Sequence, residues 1–448
     1  MKVNISIIGA GSAVFSLSLI RDLCLTPNLE GSVVTFMDID RGRLDATHRL
    51  CERYAAESGV HLELRKTLDR RQALEGADFV INTAFVSGHR AMQEGWQIAR
   101  RHGYRFGGSY HIVHDEAFWI NFYQFVLFEE IVQDMLAICP DAWHLLVANP
   151  VLAGVTFLAR KYPQHKLVGL CHGYRGVYHL AERLGLNQDK ITFEIPGVNH
   201  FVWLTRFYHE GRDALPLIDR WIEEQAPAYW ETCGPCDPLG PKAIDLYKRF
   251  GVFPIGDTGN PGGGTWPWWY HVDDETERCW KEDPAGWFDG YFRHTAERVT
   301  AIARWAADES IRVSDQIAPV MSGESMVPLI ESIACDISRV YIVNILNCGE
   351  YVSGVPTDFE VEVPALVSRR GVQGIRTGGL PPAILAYIWH DRVAPVELEL
   401  EAYRQGSREL LVQLILMDPW SRSEAQARAF VDEIMALPHY AEMAQHYR

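Results

Sequence analysis

At 448 residues the chain is too long for one ordinary core, so two closely joined domains are expected. Hydrophobic residues at 48% and charged residues at 22% describe a globular protein and exclude a disordered one. A formal net charge of −16 repels phosphate backbones and anionic lipid, so neither nucleic acid nor a membrane is an expected partner. No apolar run reaches membrane-spanning length and no secretory leader is read in the first residues. Nine scattered cysteines, an odd number, suit a reducing cytoplasm better than a disulfide framework.

In chain order, residues 3–9 (VNISIIG) read as a buried parallel strand and 12–23 as a helix. Residues 33–38 (VVTFMD) read as a second strand, 40–58 as a helix and 79–83 (FVINT) as a third strand. A long apolar helix follows over 117–138, then short strands at 144–148 and 166–170. Strands alternating with helices predict an α/β fold, a Rossmann-like doubly wound sheet with helices on both faces. The pattern changes near residue 195, which divides a dinucleotide-binding domain, 1–195, from a second α+β domain, 196–448, for substrate and oligomerisation. In the second part 201–209 (FVWLTRFYH) reads as one strand, and a Pro-, Gly- and Trp-rich stretch runs to Trp287. Residues 294–308 read as a helix, 341–346 and 359–363 as antiparallel strands, and 396–435 as mostly helix.

The first strand ends in Gly9-Ala10-Gly11-Ser12, which opens the first helix. Glycines there let the backbone turn tightly beside a pyrophosphate, and the helix N-terminus offers free N–H groups to that anion. Val14 stands where the usual fingerprint has its third glycine. Asp38, ending the second strand, suits a ribose 2′-hydroxyl and disfavours a 2′-phosphate, so the cofactor expected is NAD. Cys171-His172-Gly173 stands just beyond another parallel strand, where open α/β sheets bind ligands. With His200, in Gly197-Val198-Asn199-His200, Cys171 could share a divalent metal, although spacing alone does not establish it and either residue type is more often structural. The pair Cys233 and Cys236 lies in a Pro-rich stretch and reads as loop cysteines rather than a redox dithiol. The Trp266, Trp268, Trp269 and Tyr270 cluster could stack on a sugar or belong to core or interface.

In order along the chain stand GAGS at 9–12, MDID at 37–40, Asn82 in INT, Asn149-Pro150, CHG at 171–173 and GVNH at 197–200. PIGDT at 254–258 and N-x-x-N-x-G at 344–349, followed by VEVP, complete the set. This ordered set resembles glycoside hydrolase family 4. The resemblance implies an NAD- and Mn²⁺-dependent glycosidase. In it the cofactor takes a hydride from sugar C3 and returns it, a base removes the acidified C2 proton, and elimination precedes addition of water. It implies Cys171 and His200 as metal ligands, Asp257 as base, and Gly9, Gly11, Ser12, Asp38 and Asn82 as cofactor contacts. Asn149, Asn199 and Arg90, the last in the loop after the third strand, are the implied substrate contacts, with Arg175 a second cation. Relatives carry an acid in the loop before the long helix, but this chain reads Gly107 to His111 there. His172 is therefore the first candidate for general acid, with His111, His114 and Asp115 as substitutes.

Gly173 after Cys-His, with the stretches CHGYRGVY and LYKRFGVFPIGDT, is similar to the α-glucuronidase members. The expected substrate is then a small α-linked uronic acid glycoside, with an α-galacturonidase or α-glucosidase as the alternative. Gly259-Asn260-Pro261-Gly262 departs from relatives with an arginine shortly after GDT. A 2-hydroxyacid dehydrogenase and a non-catalytic NAD sensor are the readings from other classes. The resemblance also implies a homo-oligomer.

Overall fold

The computed structural model describes residues 1–105, 116–264 and 266–448. Six parallel strands form its first half: β1 (Asn4–Ile8), β2 (Val33–Met37), β3 (Glu63–Thr67), β4 (Phe79–Asn82), β5 (Trp143–Leu146) and β6 (Leu167–Gly169). Their spatial order is β3-β2-β1-β4-β5-β6, the doubly wound arrangement whose direction reverses between β1 and β4. The central strands are apolar on both faces because helices cover both: β4 is buried at every residue. The edge strand β3 (ELRKT) was not read from the sequence because it has no apolar run; its exposed charges blunt a sheet edge instead. Helices α1 (Ala13–Cys24), α2 (Arg41–Ser58), α3 (Arg70–Leu74), α4 (Gly88–Arg101), α5 (Phe118–Ile138), α6 (Val151–Lys161) and α7 (Gly176–Arg183) run between and after these strands. Helix α5 is apolar on nearly all sides and buries Phe118, Trp119, Phe122, Phe125 and Phe128 between core layers.

The sheet does not end at residue 195. Beyond β7 (Ile191–Glu194) come β8 (Gly197–Val198), β9 (Phe201–Leu204), β10 (Arg206–His209), β11 (Arg212–Asp213) and β12 (Phe253–Ile255). The last strands are β13 (Arg339–Leu346), β14 (Glu360–Ser368) and β15 (Gly371–Gly374). Strand β13 pairs antiparallel with β6 at Asn344 and Gly169, and β14, β8, β9 and β12 extend the sheet outward in that order. The expected antiparallel pair at 341–346 and 359–363 is β13 with β14. The single strand expected over 201–209 is two strands in two sheets: β9 joins the main sheet and β10 joins β7 and β11. Thr205 makes the break, its N–H donating to Glu194 O at 3.0 Å and its hydroxyl to the Glu194 carboxylate, also at 3.0 Å. The helix expected at 294–308 begins earlier, at Pro284, where Asp283 accepts the Gly286 N–H at 2.9 Å and Pro284 needs no N–H partner. No described helix is long and apolar enough to cross a membrane.

Candidate active site

The carboxyl ends of the parallel strands gather one side of the site. Gly9 has φ +86, and a Cβ there would stand 2.5 Å from Ala84 Cα, so the turns after β1 and β4 touch through bare backbone. Asp38, just past β2, accepts the Gly11 N–H at 2.7 Å through one oxygen and the Asp40 N–H at 2.9 Å through the other. A carboxylate has about four acceptor sites, so capacity remains for a diol. Ser12 caps α1 without a side-chain hydrogen bond, and the Ala13 N–H that follows donates to Gly11 O at 3.0 Å. Asn82 is fully buried and its Oδ1 accepts the Ala84 N–H at 3.1 Å. Gln124 of α5 ties the neighbouring loops: its Nε2 donates to Ala84 O at 3.1 Å and Asn149 O at 2.6 Å, and its Oε1 accepts Val86 N–H at 2.9 Å.

The antiparallel extension brings the other side. Cys171 follows β6, His200 occupies the two-residue turn between β8 and β9, and Asp257 follows β12. One ligand atom from each converges so that all three lie within 4.8 Å of one another, the one such group of three or more His, Cys, Asp or Glu among the described residues. His200 Nε2 stands 3.5 Å from Asp257 Oδ2. His200 adopts φ +58, a left-handed conformation that costs a side chain roughly 1–3 kcal/mol and persists only where its surroundings enforce it. Asn199 supplies that enforcement: its N–H donates to Glu360 at 3.1 Å and its amide to Glu362 at 3.2 Å, both on β14. Thr258 fixes the Asp257 turn by accepting Val202 N–H at 2.7 Å and donating to Val202 O at 2.9 Å.

The electrostatics favour a cation. Burial pushes the Cys171 thiol well above its ordinary range, and the Glu362 and Asp257 carboxylates push it further. Burial raises Glu362 to about 8, opposed by the Asn199 amide and reinforced by Asp257. Burial also raises Glu360 strongly, against the Asn199 N–H. Glu362 Oε1 and Asn199 Oδ1 are buried without a hydrogen-bond partner among the described residues. Mixed sulfur, nitrogen and oxygen donors with surplus acceptors fit a divalent ion, which would hold the thiol as thiolate. Glu360 and Glu362 were missed in the sequence reading. The available signal was two acids at period two on one face of an otherwise apolar strand.

The remaining residues fall outside this cluster. The His172 ring is 65% exposed, with Nδ1 3.6 Å from Glu324 Oε1. Arg90 is exposed in the first turn of α4, not in a loop as expected, because the chain turns at Gly88, φ +69, straight into helix. Arg175 is exposed, with its guanidinium directly over Gly323. Asn149 is half-buried beside α6, where its Oδ1 accepts the Val151 N–H at 3.4 Å. His111, His114 and Asp115 lie outside the described residues. Trp266 is core, edge-on to Phe201 at 4.8 Å, whereas Trp268 is exposed. Cys233 ends a helix rather than opening one, unlike a thioredoxin-type dithiol.

Comparison with known proteins agrees with this geometry. The description "Family 4 glycosyl hydrolase" matches residues 4–186 and "Family 4 glycosyl hydrolase C-terminal domain" matches 195–421. An alpha-glucosidase of Erwinia rhapontici is 28% identical over 93% of this chain and 94% of its own. An alpha-galacturonidase of Thermoanaerobacter italicus is 23% identical over 94% and 92%. The crystal structure of a 6-phospho-alpha-glucosidase from gut microorganisms, in complex with NAD and Mn²⁺, superposes with a TM-score of 0.79 at 18% identity, covering 98% of both chains. The expected Rossmann-like sheet with an α+β second part is therefore the fold, and the chain belongs to the family 4 glycosyl hydrolases.

Proposed function

We propose that this chain is an NAD⁺- and Mn²⁺-dependent α-glycosidase acting on uronic acid glycosides, an α-glucuronidase. The observation that carries the reading is the convergence of Cys171, His200 and Asp257 within 4.8 Å, across from a glycine turn at the carboxyl ends of β1 and β4. When bound, NAD⁺ supplies a reversible hydride acceptor and the divalent cation supplies Lewis acidity toward adjacent sugar oxygens. Gly9, Gly11 and Ser12 would bind the pyrophosphate at the N-terminal end of α1, with Asp38 on the ribose and Asn82 shaping the turn. Cys171 and His200 would hold the cation. Asp257, with 30% of its side chain exposed, is the base that takes the proton from sugar C2. His172, with Nδ1 3.6 Å from Glu324 Oε1, is the acid for the departing oxygen. Asn149 and Arg90 would orient the sugar; Asn199, expected to do so too, is fully buried and bonded to Glu360 and Glu362, so it would act on the His200 turn instead.

Uronate preference rests on Gly173. A carboxylate side chain there would repel a sugar acid, and glycine leaves that space uncharged. A Cβ at Gly173 would touch Cys171 Sγ at 3.6 Å, so this position faces the donor cluster. Alpha-galacturonidases among the relatives are consistent with a sugar acid. The higher identity to an alpha-glucosidase favours a second reading, a neutral α-hexoside. The reading extends to a homo-oligomer in a reducing cytoplasm. In support, all nine cysteines are unpaired and the 24-residue helix Pro284–Ala307 buries only Pro284, Phe288 and Ala306.

The deciding experiment offers aryl α-glucuronide, α-galacturonide and α-glucoside to chelator-treated protein, with NAD⁺ and Mn²⁺ restored singly and together. Aryl alcohol release that needs both, leaves no net NADH and is fastest on the glucuronide is expected. Faster release from the glucoside would select the neutral reading. Steady NADH formation from a hydroxy acid, with no glycoside cleaved, would overturn the glycosidase.

A further inference from the structure

Helices Pro382–Ile388 and Ala394–Gln405 are joined by a π-helical turn, Trp389–Val393. Such turns close i to i+5 hydrogen bonds and are frequent at functional sites. This turn carries Arg392, which is 1% exposed. A buried arginine is retained only where its charge is engaged. Its Nη2 donates to Gly263 O at 2.7 Å and its Nη1 to Asp391 O at 2.9 Å. Its guanidinium carbon lies 4.8 Å from the centre of the Phe201 ring, a cation–π contact.

Both partners lead directly to the donor cluster. Phe201 follows His200 in the strained turn. Gly263 is wedged against both donor segments: a Cβ there would stand 2.6 Å from Asp257 O and 2.7 Å from His200 O. The loop that Arg392 grips contains Gly262, Gly263 and Gly264, which have the most conformational freedom to lose. Inside the loop Asn260 Oδ1 accepts the Gly262 N–H at 2.7 Å and its Nδ2 donates to Gly256 O at 3.2 Å, and Arg392 ties the loop from outside. One cation thus bonds the loop after Asp257 with its planar edge and covers the residue after His200 with its face.

We propose that Arg392 is a positioning residue that sets the separation of His200 and Asp257, and so the affinity of the cluster for a divalent cation. This rests on the reading above that the cluster holds such an ion. Partners that orient metal ligands typically change affinity by about 10–100-fold when removed. Arg392→Met and Arg392→Lys should therefore weaken Mn²⁺ binding at least tenfold, counted as free Mn²⁺ by electron paramagnetic resonance without substrate. NAD⁺ affinity, read by fluorescence quenching, should stay within twofold. Without any metal, amide exchange across 256–264 should quicken, and added methylguanidinium should partly restore both properties in Arg392→Ala.

His200→Ala and Cys171→Ala are run in parallel. If they bind Mn²⁺ as the parent does, the metal reading itself is wrong. If they lose it while folded Arg392 variants keep parental affinity and exchange, Arg392 does not position the cluster. Should the Arg392 variants not fold, Phe201→Leu removes only the ring beneath the cation. It should then weaken Mn²⁺ several-fold with NAD⁺ binding kept, and parental Mn²⁺ affinity in that variant would overturn the proposal.

Discussion

Two glycines at the site answer differently to an added carbon. At Gly9 a Cβ meets the Ala84 backbone at 2.5 Å on a left-handed residue, and neither backbone can yield cheaply. Gly9→Ala is expected to cost roughly 1–3 kcal/mol in urea unfolding and to weaken NAD⁺ binding at least tenfold by calorimetry. At Gly173 the atoms nearest an added Cβ are 3.6 to 4.0 Å away, ordinary contact, so the backbone accepts a small side chain there. Gly173→Ser should fold with stability within about 0.5 kcal/mol of the parent. It should also lower the ratio of kcat/KM for α-glucuronide over α-glucoside; an unchanged ratio would remove Gly173 from the specificity argument. Cys171, His200 and Asp257 could be named from sequence because each sits in a short motif. Their approach could not, since it depends on β8, β9 and β12 joining the sheet beyond β14. The same contact between distant strands hid Glu360 and Glu362, and a contact between a late helix and the loop after β12 hid Arg392.

Helix α5 was legible from its apolar length, but its function in the fold was not. Gln124 is a fully buried polar residue on that helix, and it satisfies two carbonyls and one N–H from the loops after β4 and β5. Gln124→Leu keeps the volume and removes all three bonds. Each buried group left unpaired costs about 1–3 kcal/mol. Urea unfolding should register a loss of at least about 2 kcal/mol on that basis. Amide exchange should rise at 83–87 and 148–151 before it rises in the strands; uniform acceleration would mean the helix itself had moved. Elements with strong periodicity, such as β1, β2, β4 and α5, were readable in the sequence. The split at Thr205 and the start of the helix at Pro284 were not, because one is set by a partner strand and the other by a cap.

The whole molecule is tied together by the sheet that crosses residue 195. One core packs Ile5, Leu145 and Val168 with Val343, Ala365 and Val367, drawn from both halves of the chain. Damage near that seam should therefore unfold both halves in one transition. His144, on β5, and His165, just before β6, form such a weak point: both are buried, with Nδ1 and Nε2 3.0 Å apart, so the pair holds one shared proton at most between those atoms. Burial lowers His165 to about 4, and burial followed by the charge of His165 lowers His144 further. An unfolded histidine titrates near 6.5, so below that pH the unfolded chain binds protons that the fold excludes. The stability held by these neutral rings is complete above about pH 6.5 and drains as pH falls toward 4, by roughly 3 kcal/mol for His165 alone. Urea midpoints taken from pH 7 to pH 4.5 should fall together for tryptophan fluorescence and far-ultraviolet dichroism, and His165→Gln should make the fall shallower. Two separated transitions would show that the halves unfold independently despite the shared sheet, and an unaltered slope in His165→Gln would place the acid sensitivity in other groups.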